Sequence, residues 1–158
     1  MSDGDLEKRL RALEDLAAVG QLVARYGPAA DSGAGDAVAG LWTANGAYEA
    51  PPHGSWTGHD EIAGMINGPG HQTVVTGGAA HVLTPPVITV DGDEARAWNH
   101  ALHLRWDPEQ QRFWVFRVSA NSWHLRREAD GWRVERRVNR NLDGAPESRA
   151  ILRDSTEG

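Results

Sequence analysis

Residues 111–142 read QRFWVFRVSANSWHLRREADGWRVERRVNRNL, and this stretch decides the fold. Its first arm, Arg112 to Arg127, is dense in aromatic and β-branched residues and longer than an ordinary strand, so it predicts one strongly bent strand. Glu128-Ala129-Asp130-Gly131 supplies an Asp-Gly turn, and Trp132 to Arg140 returns as a second arm. Side chains alternate across a strand, which puts Val115, Arg117, Ser119, Asn121 and Trp123 in one row and Trp114, Phe116, Val118, Ala120 and Ser122 in the other. Ser119 and Asn121 therefore sit mid-strand among residues that favour burial, where an unpaired hydroxyl or amide costs about 1–3 kcal/mol. Either they bond to neighbouring strands, or they point into a cavity that holds water or a ligand.

Outward from this hairpin, the chain of 158 residues is long enough for one domain with a sizeable core. Residues 1–144 are expected to form it, with a loosely held tail at 145–158 where charge, Pro and Gly accumulate. Seven Trp suit both a core and the wall of an apolar pocket. A formal charge of −6, with no basic arm or single-sided basic helix, argues against nucleic acid as a partner. The absence of Cys removes disulfides, thiolate catalysis and Cys-zinc sites. No apolar run approaches the length of a membrane span and the N-terminus has no leader pattern, so a cytoplasmic protein with no membrane partner is expected.

Upstream, Leu6, Leu10, Leu13, Leu16, Val19, Val23 and Tyr26 recur at intervals of three and four, which predicts an amphipathic helix from Asp5 to Tyr26. Ser2 or Asp3 can cap it, and Gly27-Pro28 should end or kink it. Asp31 to Asp36 then reads as a loop, Ala37 to Trp42 as a short helix, Asn45-Gly46 as a turn and Ala47 to Ala50 as a strand. A loop at Pro51–Gly58 precedes a helix at His59–Ile66. Gly68 to Ala80 has four glycines and no period, and predicts a mobile segment able to cover a pocket. From His81 to Val90 a strand is broken by Pro85-Pro86, and Asp91-Gly92-Asp93 turns it into another at Ala95–Trp106. Helices first and long turn-linked strands later predict an α+β fold, a curved antiparallel sheet wrapped around the N-terminal helices as a cone-shaped α+β barrel with an internal pocket.

Within that frame, His100 and His103 are three apart, so on a strand they face opposite ways, and no His-Glu-x-x-His or carboxylate cluster is present. No metal is expected. His81 opens a strand just after the glycine-rich segment, where a side chain can meet both pocket and cover, although a lone strand histidine is ordinarily structural. Asp31 would ordinarily cap or turn, and Tyr26 and Tyr48 would ordinarily be core aromatics. Arg117, Arg137 and Arg140 could be surface charges, but an inward Arg would suit an acidic or enolate-bearing ligand, and Arg117 shares its row with Ser119 and Asn121.

In order and spacing, Tyr26 to Asp31, Leu41-Trp42-Thr43-Ala44-Asn45-Gly46-Ala47-Tyr48, Gly58-His59-Asp60-Glu61-Ile62, Ala80-His81-Val82, Val90 to Ala95 and Asp130 to Val134 resemble the SnoaL-like branch of the nuclear-transport-factor-two-like superfamily. That branch includes scytalone dehydratase and the bile-acid dehydratases, and the resemblance runs from Leu6 to Leu142. It implies Asp31, Tyr48, His81 and Ser119-Ala120-Asn121 as the positions of the fungal dehydratase pattern, and Tyr26, Asp31 and His81 as the bile-acid dehydratase trio. Ala30 stands where the fungal enzyme has a second Tyr, and Trp106 where it has a His. The implied catalytic set is His81, Asp31, Tyr26 and Tyr48, with Asn121, Ser119, Arg117, His100 and Trp106 as substrate contacts. The implied activity is cofactor-independent dehydration of a hydrophobic ring or polyketide-like hydroxy-ketone through an enolate. A cyclase or ketone isomerase on the same dyad, a non-catalytic small-molecule binder and an accessory subunit with an obligate large partner remain the alternatives. Aromatic faces on both sides of the long strands predict a homodimer or homotrimer.

Overall fold

The computed structural model describes residues 2–156; Met1 and the last two residues of the predicted tail lie outside the described residues. Helix α1 spans Asp3–Asp31, opened by a reciprocal cap in which the Ser2 hydroxyl accepts from the Asp5 N–H and the Asp5 carboxylate accepts from the Ser2 N–H. Gly27-Pro28 does not end it. Pro28 removes one helical donor, but the last turn is closed by the Ser32 N–H on the Pro28 carbonyl (3.0 Å) and the Ser32 hydroxyl on the Ala29 carbonyl (2.8 Å), and Ala30 is wholly buried. Packing outweighs the local cost, and Asp31 becomes the final helical residue. The apolar side chains that α1 buries on the sheet come from its C-terminal half: Val19, Val23, Tyr26 and Ala30 are buried, whereas Leu6, Leu10, Leu13 and Leu16 stay exposed.

Two short elements follow, α2 (Gly35–Ala39) and β1 (Trp42–Ala50), so Trp42 starts a strand instead of ending a helix. The expected turn at Asn45-Gly46 is a bulge inside β1, lying between the pairings of Trp42 with Val134 and Ala47 with Arg136. Within the predicted Pro51–Gly58 loop lies β2 (Gly54–Thr57), paired antiparallel to β1. Helix α3 (Gly58–Asn67) then drives Ile62 and Ile66 into the core. The glycine-rich segment holds α4 (Pro69–Thr76) and the start of β3 (Ala79–Leu83), where no regular element is predicted. Pro69 at the first helical position is a start signal, but a short Thr- and Val-rich turn flanked by glycines has no apolar period to read.

Pro85-Pro86 splits the next predicted strand into β3 and β4 (Val87–Asp91), both of which pair antiparallel with β5 (Glu94–Asp107). The long hairpin is as expected: β6 (Arg112–Glu128) bends and pairs with both β5 and β7 (Gly131–Asn141). The order across the sheet is β2-β1-β7-β6-β5-β3, with β4 also on β5. The fold is α+β with a curved, unclosed sheet, and it is mixed because β1 and β7 run parallel. Tight turns fix the directions of β5, β6 and β7, but no hairpin links β1 to β7, so nothing local fixes theirs. Residues after 144 include α5 (Pro146–Asp154), which packs on the outer face of β5, β6 and β7 and buries Ser148.

On the inner face, Trp42, Trp123, Leu125 and Val134 meet Val19, Val23, Ile62 and Ile66 in one core. Toward the far end of β5 and β6 this packing gives way to polar side chains and a hollow.

Candidate active site

Gly27 is where α1 touches β3: a Cβ there would lie 2.3 Å from the His81 carbonyl oxygen, so only Gly allows the approach. This contact sets the helix end beside the strand. One oxygen of the Asp31 carboxylate then accepts from the His81 backbone N–H at 2.8 Å, and the other bonds Nδ1 of the same residue at 2.6 Å. Gripping both backbone and ring, Asp31 fixes the ring's orientation and makes Nδ1 the protonated nitrogen. Nε2 has no protein partner among the described residues, and His81 lines a cavity of about 370 Å³.

That cavity is walled by Tyr26, Tyr48, Ala50, His53, Trp56, Met65, Gly70, His71, Val74, His103, Arg105, Phe116 and Arg117. Its volume lies within the range of small-molecule sites. A narrow inner end reaches Ser119, Arg137 and Asn139. Four predicted site residues, Tyr26, Tyr48, His81 and Arg117, thus share one hollow, with Asp31 directly behind His81.

Beneath the cavity, Arg137 is 1% exposed, its guanidinium 3.9 Å from the ring centre of Tyr26, 4.6 Å from Tyr48 and 4.2 Å from Trp123. Its Nε and Nη2 donate to the Asn121 Oδ1 at 3.0 and 2.8 Å, and the Asn139 amide donates to that oxygen and to the Ser119 hydroxyl, both at 2.9 Å. The open question about the long strand resolves both ways. Asn121 bonds across to β7 and holds Arg137, while Ser119 accepts from Asn139 of β7 and also reaches the inner end of the hollow.

Burial pushes the Tyr26 phenol far up, the neighbouring Tyr48 adds to the rise, and the Arg137 charge offsets only part of it. Tyr26 is a phenol at any ordinary pH, able to donate a hydrogen bond and unable to serve as a base.

Sequence reading did not single out His103 and His71 for this site. His103 stacks on His81 with ring centres 4.3 Å apart, and burial, with His81 and then Arg105 and Arg117 beside it, pushes its pKa down to about 3. It is a neutral, uncharged neighbour. His71 comes from α4, its ring 5.8 Å from His81 and its Nε2 bonded to the Ala30 carbonyl at 2.9 Å. The ring of His71 is tilted against that of His81, and the described residues contain no group of three His, Cys, Asp or Glu able to hold a metal ion.

Two predicted contacts lie elsewhere. His100 is exposed and belongs, with Trp98 and Ala120, to the outer face of the sheet. Trp106 packs against Phe113 and Gly78, away from the hollow. The period of two along β5 explains both, because the inward residues are Asn99, Ala101, His103 and Arg105. Arg105 takes the cavity position that Trp106 was expected to fill.

A family model described as a SnoaL-like domain matches residues 11–138. An NTF2-like protein with a cystatin-like fold from Novosphingobium aromaticivorans is 41% identical, over 96% of this chain and 97% of its own, with a TM-score of 0.92. A Catenulispora acidiphila protein in complex with S-DNPA is 22% identical over 90% and 98% of the two chains, TM-score 0.69. A ketosteroid isomerase-like protein from Erwinia carotovora atroseptica is 19% identical over 82% and 98%, TM-score 0.61. At those identities the last two share the fold alone. No curated protein matches the chain. Among the described residues no helix is long and apolar enough to cross a membrane. With its curved sheet, its inner hollow and a family match over most of its length, the chain belongs to the SnoaL-like domain family of the NTF2-like superfamily.

Proposed function

We propose that the chain is a cofactor-independent acid-base enzyme that takes a proton α to a carbonyl of a hydrophobic ring substrate and expels a β-hydroxyl as water. The observation that carries this reading is the double grip of Asp31 on His81, which leaves Nε2 as the only uncommitted ring nitrogen and turns it to the hollow. Nε2 takes the α-proton, the C–H electrons form the enolate, and the carbonyl oxygen gains charge. Tyr26, held as a phenol, and Tyr48 stand at the cavity floor as donors to that oxygen. The imidazolium, stabilised by Asp31, then returns its proton to the β-hydroxyl as the C–O bond breaks, giving water and an enone.

Two tetralones separate the steps. Deuterium uptake by 1-tetralone in D2O reads proton removal alone, and 1-naphthol formation from 3-hydroxy-1-tetralone reads loss of water. The native chain is expected to catalyse both, and His81→Ala to lose roughly 1,000-fold in each. Undiminished turnover in His81→Ala, or no exchange by the native chain, would contradict the reading. Exchange without loss of water would favour an isomerase or cyclase on the same dyad.

Exposed Phe113, Trp114 and Val115 on β6, with the leucines of the first half of α1, support self-association as a homodimer or homotrimer. Light scattering after size exclusion tests the association, and a monomer at all concentrations would contradict it.

A further inference from the structure

Four arginines of this sheet are paired with carboxylates, and two that face the hollow are not. Arg126, Arg127, Arg133 and Arg136 each form an ion pair with a carboxylate, respectively with Glu135, Asp15 and Asp93, Asp130, and Glu49. Arg105 and Arg117, which line the hollow, have neither an ion pair nor a hydrogen bond to any described residue, and the Nε of each is buried. The buried Nη1 of Arg137 and Nε2 of His103 also lack hydrogen-bond partners. Among the described residues lining the hollow and its inner end there is no Asp or Glu. The nearby carboxylate of Asp31 has both oxygens committed to His81.

A guanidinium N–H turned from water with no acceptor is costly, and stacking on an aromatic ring, as Arg105 does over Phe116 at 4.3 Å, offsets only part of that. No described residue supplies the acceptor for either Nε, so it comes from solvent or from a bound anion. We propose that the substrate carries a carboxylate, seated between Arg105 and Arg117, while its apolar ring lies against Trp56, Met65 and Phe116. This deepens the acid-base reading above and rests on it for the reacting end of the molecule.

Location supports the assignment. Both arginines act through their charge on His103, which stacks on His81, so an anion held by them is one ring away from the proposed base. Arg117 also acts on His53 at the other side of the hollow. Two planar forks on adjacent strands match the two oxygens of a carboxylate, and a cavity of about 370 Å³ accommodates a two-ring acid. A carboxylate at one end and a proton-accepting nitrogen at the other would fix which carbon of the ring system meets His81.

The test is equilibrium binding of 2-naphthoate, 2-naphthamide and 2-naphthyl phosphate, read by tryptophan fluorescence and calorimetry. The native chain is expected to bind the acid at least tenfold more tightly than the amide, and the double variant Arg105→Met, Arg117→Met to bring that ratio below threefold while holding the amide as before. If the double variant fails to hold the amide, the single variants decide, each being expected to reduce the acid-to-amide ratio at least threefold. A native ratio under tenfold, a ratio that survives in these variants, or tenfold preference for the phosphate over the acid would overturn the proposal. Repeating the comparison in His81→Ala separates it from the catalytic reading. Charge discrimination should persist there, so loss of turnover with no acid preference sinks this inference alone, and acid preference with undiminished turnover sinks the mechanism alone.

Discussion

Two aspartates on the same helix, Asp15 and Asp31, both reach across to the sheet, and the contrast between them separates structure from chemistry. Asp15 accepts the fork of Arg127 at 2.8 and 2.7 Å and the Trp132 indole N–H at 3.2 Å, and Arg127 itself goes on to Asp93 and stacks over Trp132. Every strong donor and acceptor in that group is used. Asp31 also satisfies both its oxygens, but on a residue that retains one idle nitrogen toward a hollow. Closed polar clusters clamp elements together, and an open one, bordered by unpaired arginines, is poised to act on something else.

Exchanging the side chains should break this contrast in opposite directions. Asp31→Asn is expected to lower turnover at least 100-fold, by freeing the ring to adopt the wrong tautomer, with little change in Tm. Asp15→Asn should leave turnover per folded molecule intact and cost about 2 kcal/mol of stability, less than for a wholly buried pair because Arg127 is 23% exposed. Thermal melts and steady-state rates on both variants decide it, and similar behaviour of the two would erase the distinction.

Next in size is Tyr26→Phe, which removes a donor from the floor but keeps the ring over Arg137. A loss of about 100-fold in kcat at unchanged KM is expected if the phenol serves the developing oxyanion. Gly27→Ala should disturb both properties at once, because the new methyl group meets the His81 carbonyl. About 1–3 kcal/mol of stability and roughly tenfold in turnover are expected to go together, read by denaturant unfolding and by rate.

The remaining effects are graded with pH. His103 has a folded pKa of about 3 against an ordinary 6.5, so the folded state resists protonation and the unfolded state does not. Stability from this source is full above pH 6.5 and is lost as pH falls toward 3, by up to about 1.4 kcal/mol per pH unit. His103→Phe should flatten that slope. The Arg127 fork holds the Asp15 carboxyl below the usual carboxylate range, so its contribution is full above about pH 4 and is lost only below that. Urea unfolding from pH 7 to 3 should therefore show two windows, the upper one absent in His103→Phe.

Much of this arrangement was readable from the chain. The long hairpin, the leading helix and the convergence of Tyr26, Tyr48, Asp31 and His81 follow from strand alternation, helical spacing and the family resemblance. His103 was only partly within reach. The hairpin that sets Asp91 opposite Glu94 would extend to His81 opposite Leu104, and a one-residue change of register between β4 and β3 brings His103 there instead, while strand alternation turns His100 and Trp106 outward. Other features depend on tertiary packing. The run of α1 through Pro28 rests on burial of Ala30, and His71 arrives on a helix with no apolar period. Phe116 and Arg117 both line the hollow because the β5–β6 register shifts between His103 and Leu104, leaving Phe116 as the extra residue. A bulge of that kind has no signature in composition.

The most direct measurement of the central claim is the tautomer of His81, read from the ring nitrogens by long-range proton-nitrogen NMR above neutral pH. The account predicts a proton on Nδ1 and a bare Nε2 in the native chain, and a mixed or reversed tautomer in Asp31→Asn. A proton on Nε2 in the native chain, or a spectrum that Asp31→Asn leaves unchanged, would contradict it.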